Sequence, residues 1–438
     1  MLRNILWSAP VALALFLPVA ATAQLATSAP SSIAVQPPSS PAETAAAIDR
    51  FYASRAGAPL WFAGGRPSPA AQILLSRLRT AQFDGLADGP ALAARIDALL
   101  ASPQTSPAAD WQMSSAYIAL SNALHGPVAG LNYVDAAARP HVESPDRLLY
   151  LAGQSTMLDA HVGAMLRMSR PYEELRAATL ADAAARGGAA DPRLLANLQR
   201  ARALPATGRY VVVNPAVAEL MMIDNGEVVD RMRVVVGTPQ TPTAPMASAI
   251  AYATVNPYWN VPEDLVQKIL APRVVTQGLS YLKRGHYQAV DSFGADATVI
   301  APETIDWKAV RAGTAQVKLR QLPGPFNSMG LIKFGFPNAY GIYLHDEPSK
   351  AQFAKADRAL SNGCVRLPDA ARLARWMLGH DPRVVGGAGD QNVALPRPVP
   401  IYITYLTARP SAGGGVQWAS DVYRLDAPAV AVTRLSAN

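Results

Sequence analysis

The hydrophobic period of this 438-residue chain changes at about Gly208, which divides it between two kinds of architecture. Before that point apolar residues recur every three or four positions. Ile73, Leu74 and Leu78 do so within 69–82, and Leu92, Ile96 and Leu99 within 91–100. The same spacing returns near 110–124, 145–168 and 192–203. This is the pattern of helices with one face turned to a core. Gly85, Gly89-Pro90, Gly126-Pro127 and Gly187-Gly188 punctuate it. Tyr52, Trp61 and Trp111 read as core residues of this half. After Gly208 the runs become β-branched: Arg209–Val213, Arg233–Val236, Ala249–Val255, Gly341–Leu344 and Pro400–Leu406. Glu219–Ile223 and Glu227–Val229 flank an Asn225-Gly226 pair, the sequence of a two-residue hairpin turn. A helix is expected from Pro262 to about Val275, and 276–340 reads as irregular and basic. The expected class is α+β, an all-α N-terminal domain followed by a mainly β domain.

The first 23 residues read as an export signal. Arg3 supplies the positive end, Ile5–Val19 the apolar stretch, and Ala21-Thr22-Ala23 the cleavage site. Pro10 and Pro18 interrupt that stretch and argue against a retained anchor. No cysteine lies near the cleavage site to carry a lipid, and no later stretch is apolar enough to span a bilayer. The expectation is a periplasmic protein with no stable membrane span once the signal is cleaved. Residues 24–44 are rich in Ala, Ser and Pro and read as a flexible linker.

The net charge of +7 is unevenly placed. All seven lysines fall between Lys268 and Lys355, a window with eleven basic residues against six acidic ones. A basic surface favours an anionic substrate, although the same charges also suit an ordinary solvated face. Nucleic acid is not expected as a partner, because the chain is read as exported and carries no known binding motif. The six histidines form no metal-ligand spacing, and no metal or cofactor is expected. The glycine run 386–389 lacks a strand-to-helix context and reads as a loop.

The residues that carry chemistry are Ser361-Asn362-Gly363-Cys364-Val365-Arg366. Cys364 is the only cysteine, so no internal disulfide is possible. An unpaired thiol in an oxidising compartment is a liability, which favours a working role over an incidental one. His345 stands 19 positions earlier, at the end of an apolar strand. A thiol that meets an imidazole can perform acyl transfer through a thioester. Gly363 lets the backbone turn tightly and aim N–H groups at a developing oxyanion. Arg366 can hold a substrate carboxylate in a fork. A helix expected from Pro368 would turn its positive end towards the thiol. His345 and that helix together predict a thiol that stays reactive below the ordinary cysteine pKa of about 8.5. The plain alternatives are a buried cysteine acting as a small hydrophobe and a structural histidine.

These residues resemble the signature of the L,D-transpeptidases, cysteine enzymes of the bacterial cell wall. That signature is a histidine, a gap, then Ser/Thr-His-Gly-Cys, an apolar residue and Asn or Arg. Ser361, Gly363, Cys364, Val365 and Arg366 match it, and Asn362 departs from it where a second histidine is common. The resemblance extends to Gly208–Asn214, Val234–Gly237, Asn256–Pro262, Lys333-Phe334, Phe336–Asn338 and Tyr343–Asp346. In the helical half, Phe51-Tyr52 and Pro59–Trp61 resemble the scaffold domain of the large periplasmic branch. The implied organisation is a scaffold domain over 45–205, a catalytic domain over 206–409 with a capping subdomain at about 263–335, and a tail over 410–438. The peptidoglycan-binding module of many relatives is expected to be absent, since 172–194 is too short for it.

The resemblance implies peptidoglycan stem peptides as partners and 3-3 cross-linking as the reaction. Cys364 would be the nucleophile, His345 the general acid/base, Gly363 a backbone oxyanion donor, and the Asp346 carbonyl the group that orients the imidazole. Arg366, Ser361, Asn362, Tyr343 and Trp259 would line the substrate cleft. Water as acceptor would give an L,D-carboxypeptidase, and an envelope protein as acceptor would give attachment of that protein. A sortase-like enzyme does not fit the His and Arg spacings. A papain-like one would need His380 as base. A non-catalytic peptidoglycan-binding protein is the reading from a different class. The oligomeric state is not legible.

Overall fold

The computed structural model describes residues 39–101, 107–294, 296–382, 389–411 and 415–426. The export signal, its Ala21-Thr22-Ala23 site, most of the linker and most of the glycine run lie outside the described residues. Among the described residues no helix is long and apolar enough to cross a membrane.

The N-terminal half is helical, as its period implies. Its helices are Pro41–Ser54, Pro69–Leu78, Gly89–Leu100, Pro107–His125, Pro145–Gln154, Leu158–Met165, Arg170–Ala185 and Pro192–Ala201. Three of them open on a described serine cap followed by proline. The hydroxyls of Ser40, Ser68 and Ser144 accept from backbone N–H groups, and the proline follows where a missing N–H does no harm. Each such cap contributes about 1 kcal/mol. The helix Arg170–Ala185 has mostly alanine between its apolar contacts, so its periodic signal is weak.

Leu74, Leu78, Ile96, Met113, Tyr117 and Tyr172 form the core of this half around Trp61, all fully or almost fully buried. Tyr52 and Trp111 pack at its margin only. Asp84 is fully buried and is held by Arg77, Arg176 and the Tyr172 hydroxyl. Two details correct the all-α expectation. Phe62–Ala63 and Arg66–Pro67 form a small antiparallel pair. Asn132–Tyr133 leaves the helices and runs parallel to Met246–Val255 in the sheet of the second half.

That sheet runs in the order 365–367, 344–346, 332–335, 246–255, 391–403, 209–214, 219–224, 227–233. Its hairpin closes at Asn225-Gly226, both in the left-handed region at φ 50° and 86°, as the turn requires. Most pairs are antiparallel, but 344–346 pairs with 365–367 in parallel. Two parallel neighbours need a crossover of a dozen or more residues. The segment 347–364 is that crossover, and it includes a short strand, Ala359–Ser361, beside Val236–Gly237. The separation of His345 and Cys364 in sequence is therefore what places them side by side in space. One face of the sheet carries Leu344, Phe334, Ala253 and Val365 into a core closed by the helix Ala370–Leu378.

The capping subdomain has its own four-stranded sheet, in the order 299–300, 287–290, 318–321, 259–260, and its own core around Leu270, Trp307 and Leu319. Its expected limits of 263–335 shift. It begins at Trp259, and Ile332–Gly335 belongs to the main sheet. Nor is 276–340 irregular, since short strands and helices fill much of it. Fully buried Asn327 donates to the carbonyls of Pro257, Gln321 and Leu322, which ties the two connections of the cap together.

The end of the chain also differs from expectation. After Ile403 it returns to the scaffold, where Leu406 and Ala408 join the helical core. The Thr407 hydroxyl donates to Asp426, and Asn197 and Arg200 of the last scaffold helix bond to the same pair of residues. Residues 404–411 and 415–426 thus strap the two halves together, so the described part of the expected 410–438 tail is packed.

Candidate active site

Strand alternation decides which side chains share a face. The register of five adjacent strands sets Arg366, His345, Lys333, Thr254 and Asn392 in one row on the face opposite the core. Extending it by one residue sets Cys364, Tyr343, Gly335, Tyr252 and Ala394 in the next row. Cys364 and His345 are thus diagonal neighbours on adjacent parallel strands, with α-carbons roughly 8 Å apart by strand geometry. Both side chains leave the sheet on the same side.

His345 is 4 % exposed. Its Nδ1 lies 2.7 Å from the Asp346 carbonyl, which can only accept, so Nδ1 carries the proton and Nε2 the lone pair. Burial pulls its pKa down to about 4, and the Arg366 charge in the same row adds to this. At neutral pH the imidazole is a neutral, oriented base. Burial pushes the Cys364 thiol up, against a smaller opposing pull from a backbone hydrogen bond at Tyr343 and from Arg366. The thiol donates to the Gly341 carbonyl at 3.7 Å and makes no hydrogen bond to His345. The pair therefore rests as thiol and imidazole, with the thiol turned to the Gly341 carbonyl. This corrects the expectation of a standing thiolate.

The helix after Cys364 cannot supply that thiolate either. It spans Ala370–Leu378, with the strand Val365–Leu367 between, and the Asp369 carboxylate caps its first turn. Its positive end is already answered by a negative charge.

Residues 208–401 match the L,D-transpeptidase catalytic domain, and residues 46–178 match a scaffold domain. Residues 208–401 thus form an L,D-transpeptidase catalytic domain, joined to a scaffold domain. A protein of Haemophilus influenzae named "Putative L,D-transpeptidase" is 30% identical over 241 residues, covering 53% of this chain and 48% of that protein. The chain thus spans about half the length of this curated relative. A solved structure of an L,D-transpeptidase from Mycobacterium smegmatis aligns over 44% of this chain and 58% of its own, with 15% identity and a TM-score of 0.22.

Several site residues expected of a transpeptidase stand elsewhere than anticipated. The Gly363 N–H, expected to face an oxyanion, points at the Ser361 hydroxyl at 3.2 Å. Among the described residues the Cys364 N–H has no acceptor, so it is the free backbone donor of this turn. Ser361 is 2 % exposed, and its hydroxyl donates to the Cys364 carbonyl at 2.6 Å. It braces the turn and does not face a substrate. Arg366 is held by Glu347 at 2.9 Å and by Gln352 at 3.0 Å, so its fork is partly occupied. Asn362 is exposed beside the thiol, and Tyr343 is exposed in the row of Cys364. Trp259 lies in the cap sheet, and its ring packs towards Tyr287. His380 sits beyond the helix Ala370–Leu378 and bonds the Asp381 carbonyl.

Three residues that the sequence reading did not assign to the site stand around it. Lys333 stands beside His345 in its row and pairs with Asp390 at 3.1 Å. Gly330, at φ +62°, lets the cap's exit loop lie against Asp346, where a β-carbon would come within 2.5 Å of the Asp346 side chain. Thr243 holds the cysteine turn, donating to the Gly363 carbonyl at 2.7 Å. Only the polar alternation of Lys333 against Phe334 was available in the sequence to flag any of them.

Proposed function

We propose that this protein is a cysteine acyltransferase that joins peptidoglycan stems, acting in the periplasm after its export signal is removed. The observation that carries this reading is the shared face of Cys364 and His345, with the imidazole fixed in its Nδ1–H form by the Asp346 carbonyl. His345 Nε2 takes the thiol proton as the sulfur attacks the carbonyl of the L-centre residue in a tetrapeptide stem. The Cys364 N–H donates to the oxyanion of the tetrahedral intermediate. Collapse breaks the peptide bond, and His345 returns its proton to the departing D-alanine amine. A thioester remains on Cys364. The side-chain amine of a second stem then attacks it, His345 removes the amine proton, and the thiol is regenerated with a 3-3 cross-link formed. A base that is neutral at working pH suits this sequence, because it can accept a proton at each attack.

The catalytic domain match supports a transpeptidase over a sortase-like or papain-like enzyme. The test is incubation of the purified chain with tetrapeptide muropeptides, followed by mass spectrometry of products and of the intact protein. The expected result is D-alanine release, a cross-linked product and an acyl adduct on the protein. Cys364→Ala should give none of these. Products formed equally by Cys364→Ala, or an adduct that survives His345→Ala but not His380→Ala, would overturn the assignment. Trimmed stems without cross-links would replace it by the carboxypeptidase reading.

A further inference from the structure

Where the helical scaffold meets the catalytic sheet, the structure forms a half-open cavity of about 430 Å3. Its walls come from the end of the helix Pro107–His125, from the turn 137–141 and from the segment 203–210 that joins the two domains. Tyr133 and Tyr402 add an apolar side. Its titratable lining, tyrosines aside, is Arg139, Arg167, Arg202, Arg209, His125 and His141, and no Asp or Glu among the described residues lines it. The cavity contains none of the residues of the cysteine row.

These basic groups are not equally free. The Arg202 guanidinium donates to the carbonyls of Ala123, Gly126 and Pro127, so it brings charge but few open donors. Arg209 lies over the Trp376 ring and donates to its carbonyl. His125 bonds the Met165 carbonyl at 2.8 Å, and burial keeps it neutral. His141, on the rim, pairs with Glu143 at 3.0 Å. Arg139 and Arg167 are different. Neither forms an ion pair among the described residues, and the buried Nε of Arg139 has no hydrogen-bond partner. A buried donor without an acceptor is costly, and here it adjoins a cavity whose lining charge is all of one sign.

We propose that this junction cavity binds a compact anion with two or more phosphate or carboxylate groups, gripped by Arg139 and Arg167 under the positive field of Arg202. Guanidinium forks suit both oxyanion types, and the volume suits a small molecule. Because the joining segment lines the cavity, an occupant would also tie the scaffold to the catalytic domain. The inference is independent of the chemistry assigned to Cys364.

The test is calorimetric titration and thermal unfolding of the full chain with pyrophosphate and, separately, citrate, each at low and high salt. Saturable 1:1 binding of either probe, weakened by salt and accompanied by a raised unfolding midpoint, is the expected result. The probe that binds more tightly tells phosphate from carboxylate. Arg167→Gln alters an exposed side chain and should keep the fold while weakening binding about tenfold or more. Arg139→Gln should do the same, and Arg273→Gln in the cap should leave binding unchanged. No saturable binding of either probe by the wild-type chain at millimolar concentration, or unchanged binding by Arg167→Gln, would overturn the proposal.

Discussion

Thr243 donates its hydroxyl to the carbonyl of Gly363, one residue before the thiol, and accepts from the Gly237 N–H with the same oxygen. Its own backbone N–H reaches the Tyr423 hydroxyl, which in turn donates to the Gly237 carbonyl. The strap formed by residues 415–426 is thereby connected, through two side chains, to the turn that presents Cys364.

Thr243→Val should loosen that turn. The change keeps the shape but leaves a buried carbonyl and a buried N–H unpaired, at a cost of about 1–3 kcal/mol for each group. Urea unfolding should show the stability loss, and acyl-adduct formation should slow by on the order of tenfold, since small misplacements of reacting groups are expensive. Adduct formation at the wild-type rate would mean that the Ser361 bonds alone hold the turn.

His345 should make stability fall in mild acid. Its folded pKa of about 4 lies below the unfolded value of 6.5, so between those limits the unfolded chain binds more protons. Its share of the stability is full above about pH 6.5 and is lost as pH falls towards 4, to a limit of roughly 3 kcal/mol. His125 and His161 shift in the same direction, so the difference between proteins is the measurement. His345→Gln should lose less stability between pH 7 and pH 5 than wild type. Equal losses would place the imidazole in solvent.

The thiol should alkylate slowly at neutral pH, with a rate that climbs above the ordinary cysteine range, because burial opposes its ionisation. Iodoacetamide kinetics from pH 5 to 10 read this directly. A plateau already reached at pH 6 would instead reveal a standing thiolate–imidazolium pair.

Gly330→Ala should impair catalysis more than folding. The residue sits in the left-handed region, and its new methyl would press on Asp346, whose carbonyl fixes the imidazole. We expect a fall in kcat larger than any rise in KM, with a stability loss of about 1 kcal/mol from the strained backbone. A purely thermodynamic effect, with kcat intact in the folded fraction, would disconnect this loop from the site.

Much of the fold was legible because local physics wrote it. The three-to-four spacing of Leu74 and Leu78 and the Asn225-Gly226 turn each act within a few residues. The unread parts depend on partners far away. Asn132–Tyr133 is a strand only because Met246–Val255 offers it an edge. Ile332–Gly335 reads as part of the cap because nothing nearby in sequence reveals its pairing with His345's strand. Ser361 and Trp259 are polar and aromatic residues next to a signature, and their type could not tell which way they point.

The sequence by itself determined the chemical inventory: one thiol, a histidine a crossover's length before it, and a glycine where the chain must turn. Tertiary structure alone decided the state of that inventory. Burial among neighbouring strands makes the imidazole neutral and the thiol reluctant to ionise, and the parallel register sends both to one face. Solvation and register are properties of the assembled sheet, because each depends on what distant segments exclude or align.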